Sequence, residues 1–257
     1  MPSEKIRFAG STGARLTARL DRPEGGVAAW ALFAHCFTCS KDLKAVVNLS
    51  RALNGAGLAV MRFDFTGLGE SEGDFADTSF VSNVEDLVAA ARFLEAEHSG
   101  PRLLVGHSLG GAAVLQAAAA IPSAVAVATI GAPADPSHVE RLLTGSVAEI
   151  REKGEAEVVL AGRPFRIGRK FLDDLEETRQ RERIRELGRA LVIFHGPADA
   201  VVGIDNAARI FEAAKHPKSF ISLDRADHLL TDPSDALYVG EVLAAWARKY
   251  IPECGEE

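Results

Sequence analysis

The pentapeptide Gly106-His107-Ser108-Leu109-Gly110, with Gly111 behind it, is the segment of this chain best suited to chemistry. It follows the apolar run Leu103–Val105 and precedes an alanine-rich helical run, so it reads as a sharp strand–turn–helix elbow with Ser108 at its tip. Glycines on both sides let strand and helix approach closely, and the turn forces Ser108 into a strained backbone conformation. Leu109, the first helical residue, directs its N–H and the positive end of the helix dipole at any oxyanion that develops beside the serine. Such a serine is a nucleophile once a base accepts its proton.

The base needs an orienting acid, and with this elbow the two follow the serine in the order acid, then histidine. The apolar run Leu191–Phe194 leads into His195-Gly196-Pro197-Ala198-Asp199, which places Asp199 just beyond a strand's end. Phe220–Leu223 leads into Asp224-Arg225-Ala226-Asp227-His228, which places His228 after the last strand. Parallel strands gather such loops on one sheet edge, so Ser108, Asp199 and His228 are expected to converge. Asp135, after the preceding strand, is the main competing acid. Asp227 adjoins His228 too closely to orient its ring, and Asp205 is expected to cap a helix. Of the other histidines, His98, His138 and His216 are expected to face solvent. His35 and His195 end buried strands and read as structural, and His107 sits inside the elbow pointing away from the nucleophile.

A second oxyanion donor is expected from the loop after an early strand. His35-Cys36-Phe37 follows the run AWALFA, so the Phe37 N–H joins that of Leu109 as candidate. Cys36 and Cys39 form a C-x-x-C, but no second pair accompanies it, which speaks against a metal site. Redox sensitivity of this loop is the remaining functional reading. Asp64-Phe65-Thr66-Gly67-Leu68-Gly69-Glu70-Ser71-Glu72-Gly73 imitates a dinucleotide loop, but Glu72 stands where the third glycine belongs and its acids would repel a pyrophosphate. A structural turn beneath the active loops is the better account.

The elements that must position these residues are legible in the pattern. Two short strands, about Lys5–Ala9 and Arg15–Leu20, precede a regular alternation: strands Ala29–Ala34, Leu58–Phe63, Leu103–Val105, Val125–Ile130, Leu191–Phe194 and Phe220–Leu223, with helices between them. That alternation means a mostly parallel sheet covered on both faces. Residues 134–188 break the rhythm and read as an insertion over the sheet edge: an amphipathic helix through Val139, Leu142, Leu143, Val147 and Ile150, a hairpin about Gly162-Arg163-Pro164, and a helix with Phe171, Leu172 and Leu175. The charge-dense stretch Arg179–Arg189 reads as a solvated helix face. Within the insertion, Phe165 and Phe171 are available to line a substrate pocket, together with Phe37.

The 257 residues are 47% hydrophobic and 25% charged, an ordinary globular balance with room for one large α/β domain. A net charge of −7 gives no support to nucleic-acid binding. Between Arg102 and Asp135 there is no charged side chain, a membrane-length window, but Pro122-Ser123 and Gly106-His107-Ser108 interrupt it and two buried strands flanking a helix explain it better. The N-terminus lacks the apolar core of a signal peptide, and three cysteines make no disulfide framework, so a cytoplasmic protein off the membrane is expected.

The motifs HCF, DFTGLGESEG, GHSLGG, HGPAD and the DH at 227–228 resemble those of the α/β-hydrolases, in order and spacing, over nearly the full chain. The resemblance implies a central sheet of about eight strands with helices on both faces and a small cap. More narrowly, AHCFTCSKD, GEAEVVLAGRPF, AAKHPKSF and LDRADHLL resemble the hydrolase half of bacterial fusions with an OsmC-type peroxidase domain. No peroxidase domain follows, since the chain ends at Cys254-Gly255-Glu256-Glu257, and an excised and a free-standing domain stay equally open. Carboxylesterase chemistry is implied, with Ser108, Asp199 and His228 as triad and neither cofactor nor metal required; the short insertion with Phe165 and Phe171 suggests a small ester, short-acyl or aryl. Peptidase, thioesterase and acyl-transfer reactions use the same triad, and a non-catalytic binding module would not need all three residues. Oligomeric state is not legible.

Overall fold

The computed structural model describes residues 2–36, 39–143, 145–160 and 163–251. Strands β1 (Ser3–Ala9) and β2 (Arg15–Asp21) form an antiparallel hairpin, Ser3 opposite Asp21. Its turn contains Gly13 at φ +85, a conformation that costs glycine nothing. Beyond it, β3 (Ala29–Ala34), α1 (Lys44–Gly55), β4 (Leu58–Phe63), α2 (Phe80–Glu97), β5 (Leu103–His107), α3 (Leu109–Ala117) and β6 (Ala126–Ile130) alternate as the pattern predicts. After the insertion come β9 (Ala190–His195), α7 (Asp205–Ala213), β10 (Lys218–Ser222) and α8 (Pro233–Ala247), the strands of the intervening hairpin being β7 and β8.

The eight strands lie in the order β1-β2-β4-β3-β5-β6-β9-β10. β2 pairs antiparallel with β4, and every pair from β4 to β10 is parallel. β3, β4, β5, β6 and β9 are buried along their whole length, which is why they read as unbroken apolar runs rather than alternating ones. One core, beneath α1 and α8, holds Leu49, Leu53, Val105, Phe194, Val239 and Leu243. The other, beneath α2, α3 and α7, holds Met61, Phe63, Leu87, Leu104, Val114 and Ile210. The uncharged window from Arg102 to Asp135 is β5, the nine-residue α3, one 3-10 turn and β6. No helix among the described residues is long and apolar enough to cross a membrane.

The segment between β6 and β9 differs in detail from its expected form. A 3-10 helix (Pro136–Leu143) and α4 (Val147–Lys153) replace the single amphipathic helix, because Gly145 at φ +92 lies between them and a left-handed residue cannot continue a right-handed helix. The hairpin forms as β7 (Glu155–Leu160) antiparallel to β8 (Arg163–Gly168), followed by α5 (Arg169–Glu177) and α6 (Gln180–Arg185). Ala156, Val158, Leu160, Ile167, Phe171, Leu172 and Leu175 join the second core. The charge-dense stretch is more than a solvated face. Gln180 is 2% exposed, donates to the Ala112 carbonyl at 3.1 Å and accepts from the Gln116 amide at 2.7 Å, tying α6 to α3.

Candidate active site

Ser108 takes φ 55 and ψ −125 between β5 and α3, a region that a side-chain-bearing residue enters only under strain. Its surroundings enforce this. A Cβ on Gly106 would run into the Gly110 carbonyl, one on Gly110 into the carbonyls of Ala34 and His35, and one on Gly111 into the Ala132 side chain. The Ser108 N–H donates to the Ile130 carbonyl at 2.8 Å, stitching the elbow to β6.

The structure brings Ser108, His228 and Asp199 into one hydrogen-bonded chain. His228 Nδ1 lies 2.8 Å from Asp199 Oδ2, and Nε2 lies 2.9 Å from Ser108 Oγ. The carboxylate accepts, so Nδ1 carries the proton and Nε2 presents its lone pair to the serine hydroxyl. Asp199 Oδ1 accepts the N–H groups of Val201 at 2.9 Å and Val202 at 2.8 Å. Burial by itself would raise this carboxyl; the His228 hydrogen bond and the two backbone N–H donors outweigh it and hold the pKa below its ordinary value. Gly131, at φ +54 after β6, leaves the space this contact occupies: a Cβ there would sit 3.1 Å from Asp199 Oδ2 and 3.4 Å from His228 Nδ1.

The competing acids are engaged elsewhere. Asp135 is exposed and accepts the Ser137 N–H at 3.0 Å; Asp227 holds Thr231 through its N–H at 2.9 Å and its hydroxyl. Asp205 does not cap α7. It is the first residue of the helix, without a side-chain cap bond, and pairs with Arg209 at 3.1 Å. Among the histidines, His98 stacks on Trp30 at 4.8 Å, and His138 is half-buried with Nε2 2.9 Å from the Val201 carbonyl, in the loop that carries Asp199.

Leu109 opens α3 with its N–H at the helix start, as the sequence suggests, while Phe37 lies outside the described residues. The described residues on either side of it are held in place. Cys36 and Cys39 form a disulfide, a pairing the cysteine count did not foretell, and the Cys39 N–H donates to the Cys36 carbonyl at 3.1 Å. Lys41, only 1% exposed, is a buried charge that the sequence alone does not reveal: its ammonium contacts Asp64 and Glu70 at 2.8 Å and Asp42 at 3.0 Å. Asp64 also accepts the N–H of Glu70 at 3.0 Å, and a side chain at Gly69, φ +56, would run into its carboxylate. The glycine-rich turn therefore holds Lys41 through Asp64 and Glu70.

A small cavity behind the elbow is lined by His35, Cys36, Phe65, Leu68, Phe80, Asn83, Leu109, Gly110 and Ala113. Phe165 and Phe171 are not among its walls; each lies 6.1 Å from Phe75, and Phe171 is buried in the core. Among the described residues no group of three or more His, Cys, Asp or Glu side chains is arranged to hold a metal.

Residues 31–252 match the model of the alpha/beta hydrolase family. The chain belongs to that family. This hydrolase overlays the crystal structure of the esterase domain from a Rhodothermus marinus protein with a TM-score of 0.81 and 54% identity, over 98% of this chain and 100% of that one. It is 38% identical over 100 residues to the rat (Rattus norvegicus) mitochondrial palmitoyl-protein thioesterase ABHD10, covering 39% of this chain and 32% of that protein. The mouse (Mus musculus) counterpart is 27% identical over 186 residues, covering 70% of this chain and 62% of that protein. The hydrolase thus spans less than two thirds of the length of these curated relatives.

Proposed function

We propose that the chain is a serine carboxylesterase acting on small esters with short acyl or aryl groups. The observation that carries this reading is His228, with one ring nitrogen 2.9 Å from the Ser108 hydroxyl and the other 2.8 Å from Asp199. In the reaction Ser108 Oγ attacks the ester carbonyl while His228 Nε2 takes its proton, and Asp199 holds the tautomer and balances the imidazolium. The N–H groups of Leu109 and Phe37 receive the oxyanion. His228 then gives its proton to the departing alkoxide, and water, deprotonated by the same nitrogen, frees the acid from Ser108.

A fluorophosphonate probe is expected to label wild type at Ser108, and a panel of p-nitrophenyl esters is expected to show the fastest turnover at short chain length. Full esterase activity in Ser108→Ala would end this reading. The second reading, a thioesterase, is favoured by the relatives named for that activity. Acyl-thioester analogues in the same panel separate the two, because a kcat/KM preference for sulfur over oxygen esters supports the thioesterase. Residues 134–188 are the proposed cap, the part that would set acyl preference. The runs AHCFTCSKD and GEAEVVLAGRPF support the narrower relationship to the hydrolase half of OsmC-type fusions.

A further inference from the structure

Two of the strands that aim at the site end in histidine, and a third is followed directly by one. His35 directly follows β3, His107 is the last residue of β5, and His195 is the last residue of β9. All are buried, at 1%, 3% and 0% exposure. Each directs one ring nitrogen at a main-chain carbonyl: His35 Nδ1 at Cys36 O, 2.8 Å; His107 Nε2 at His228 O, 2.6 Å; His195 Nε2 at Val202 O, 2.7 Å.

A carbonyl oxygen only accepts, so in each pair the imidazole must donate, and this fixes the tautomer. The remaining nitrogens of His35 and His195 make no hydrogen bond in their buried surroundings, although Asp64 Oδ1 lies 3.8 Å from His35 Nε2. In each ring the nitrogen that faces the carbonyl therefore carries the proton. The carbonyls they hold are not arbitrary. One belongs to the base itself, one to the loop whose Val201 and Val202 N–H groups cradle Asp199, and one to the loop in which the second oxyanion donor is expected.

We propose that these are positioning residues, each clamping through one imidazole N–H the main chain of a loop that carries a reacting group: His107 the base, His195 the acid and His35 the oxyanion loop. The proposal rests on the reading of Ser108, His228 and Asp199 as the reacting groups. His107 shows the logic most directly. It is the chain neighbour of the nucleophile, and it grips the backbone of the base while its ring packs 5.1 Å from the base's ring. Serine and histidine are thereby held in register twice, once through side chains and once through the main chain. Cutting the second link lets His228 drift, and a misplacement of about an ångström costs turnover heavily.

His107→Leu and His107→Gln, with the same pair at His195, test this. In folded His107→Leu, kcat for a p-nitrophenyl ester is expected to fall on the order of tenfold or more with KM nearly unchanged. His107→Gln, whose side-chain amide can donate to the same carbonyl, is expected to recover most of it. A folded His107→Leu with wild-type kcat, or equal losses in the Leu and Gln variants, overturns the proposal. Ser108→Ala separates this from the reading beneath it: activity in that variant refutes the assignment of the reacting groups, whereas an inactive Ser108→Ala beside a fully active His107→Leu refutes only the clamp. Should the leucine variants not fold, nitrogen-15 NMR of wild type decides. At neutral pH His107 and His195 must carry a proton on Nε2 and His35 on Nδ1; a ring without its proton on that nitrogen overturns the clamp.

Discussion

Lys41 and Asp64 meet twice: the Lys41 main-chain N–H donates to Oδ1 at 2.7 Å, and its ammonium donates to Oδ2 at 2.8 Å. The first contact sets where the chain lies after the Cys36–Cys39 turn, and the second neutralises a carboxylate that is completely buried. Burial would depress this ammonium's pKa, but its bonds to Asp64, Glu70 and Asp42 prevail and raise it.

Removing the charge leaves Asp64 buried without its partner. Lys41→Met is therefore expected to destabilise the protein by roughly 3 to 5 kcal/mol. Urea unfolding at neutral pH measures this, and an unchanged midpoint would show that the pair contributes nothing.

Asp199 holds His228 in the tautomer that can accept from serine. Asp199→Asn keeps the side chain's shape but offers an N–H to the base where an acceptor is required, which turns the imidazole over. By analogy with other serine triads, kcat is expected to fall by about four orders of magnitude with the fold intact. Ester turnover alongside a thermal melt checks both halves of this statement.

His107 makes stability pH-dependent. Burial, with the neighbouring His228 ring, pulls its pKa from 6.5 to about 3. Between those values the unfolded chain binds a proton there that the folded protein refuses, so stability contributed by this group is complete above 6.5 and declines as pH falls toward 3. His107→Gln cannot titrate. The difference between wild type and variant in unfolding free energy should therefore change by up to about 1.4 kcal/mol per pH unit across this window, a slope absent above it.

The paired cysteines predict a thiol count. Denatured protein purified without reductant should titrate one thiol, Cys254, and three after reduction. Three thiols before reduction would contradict the pairing.

Much of the fold is legible because its signals are local. A fully buried parallel strand must be apolar throughout, so AWALFA and LAVMRF announce themselves, and an elbow needs glycines where backbones touch, so GHSLGG does too. Chain order points to Asp199 and His228, at strand ends, as candidate acid and base. What stayed hidden depends on neighbours far away in sequence. Nothing near Lys41 says that Asp64 and Glu70 will bury it, nothing near Gln180 says that α3 will receive its amide, and Gly145 interrupts a helix whose apolar spacing looked continuous.

The sequence by itself determined the order of strands and helices, the strained serine, and which loops offer candidate acids and the histidine, since these follow from periodicity, glycine sterics and the geometry of a parallel sheet. Only the tertiary structure decided that Asp199 rather than Asp135 meets His228, that Gly131 makes room for that contact, and that three strand-end histidines face backbone carbonyls instead of one another. The physical reason is the same in each case. A hydrogen bond is chosen by distance and direction in space, and groups on different strands and loops acquire both only when the sheet has closed.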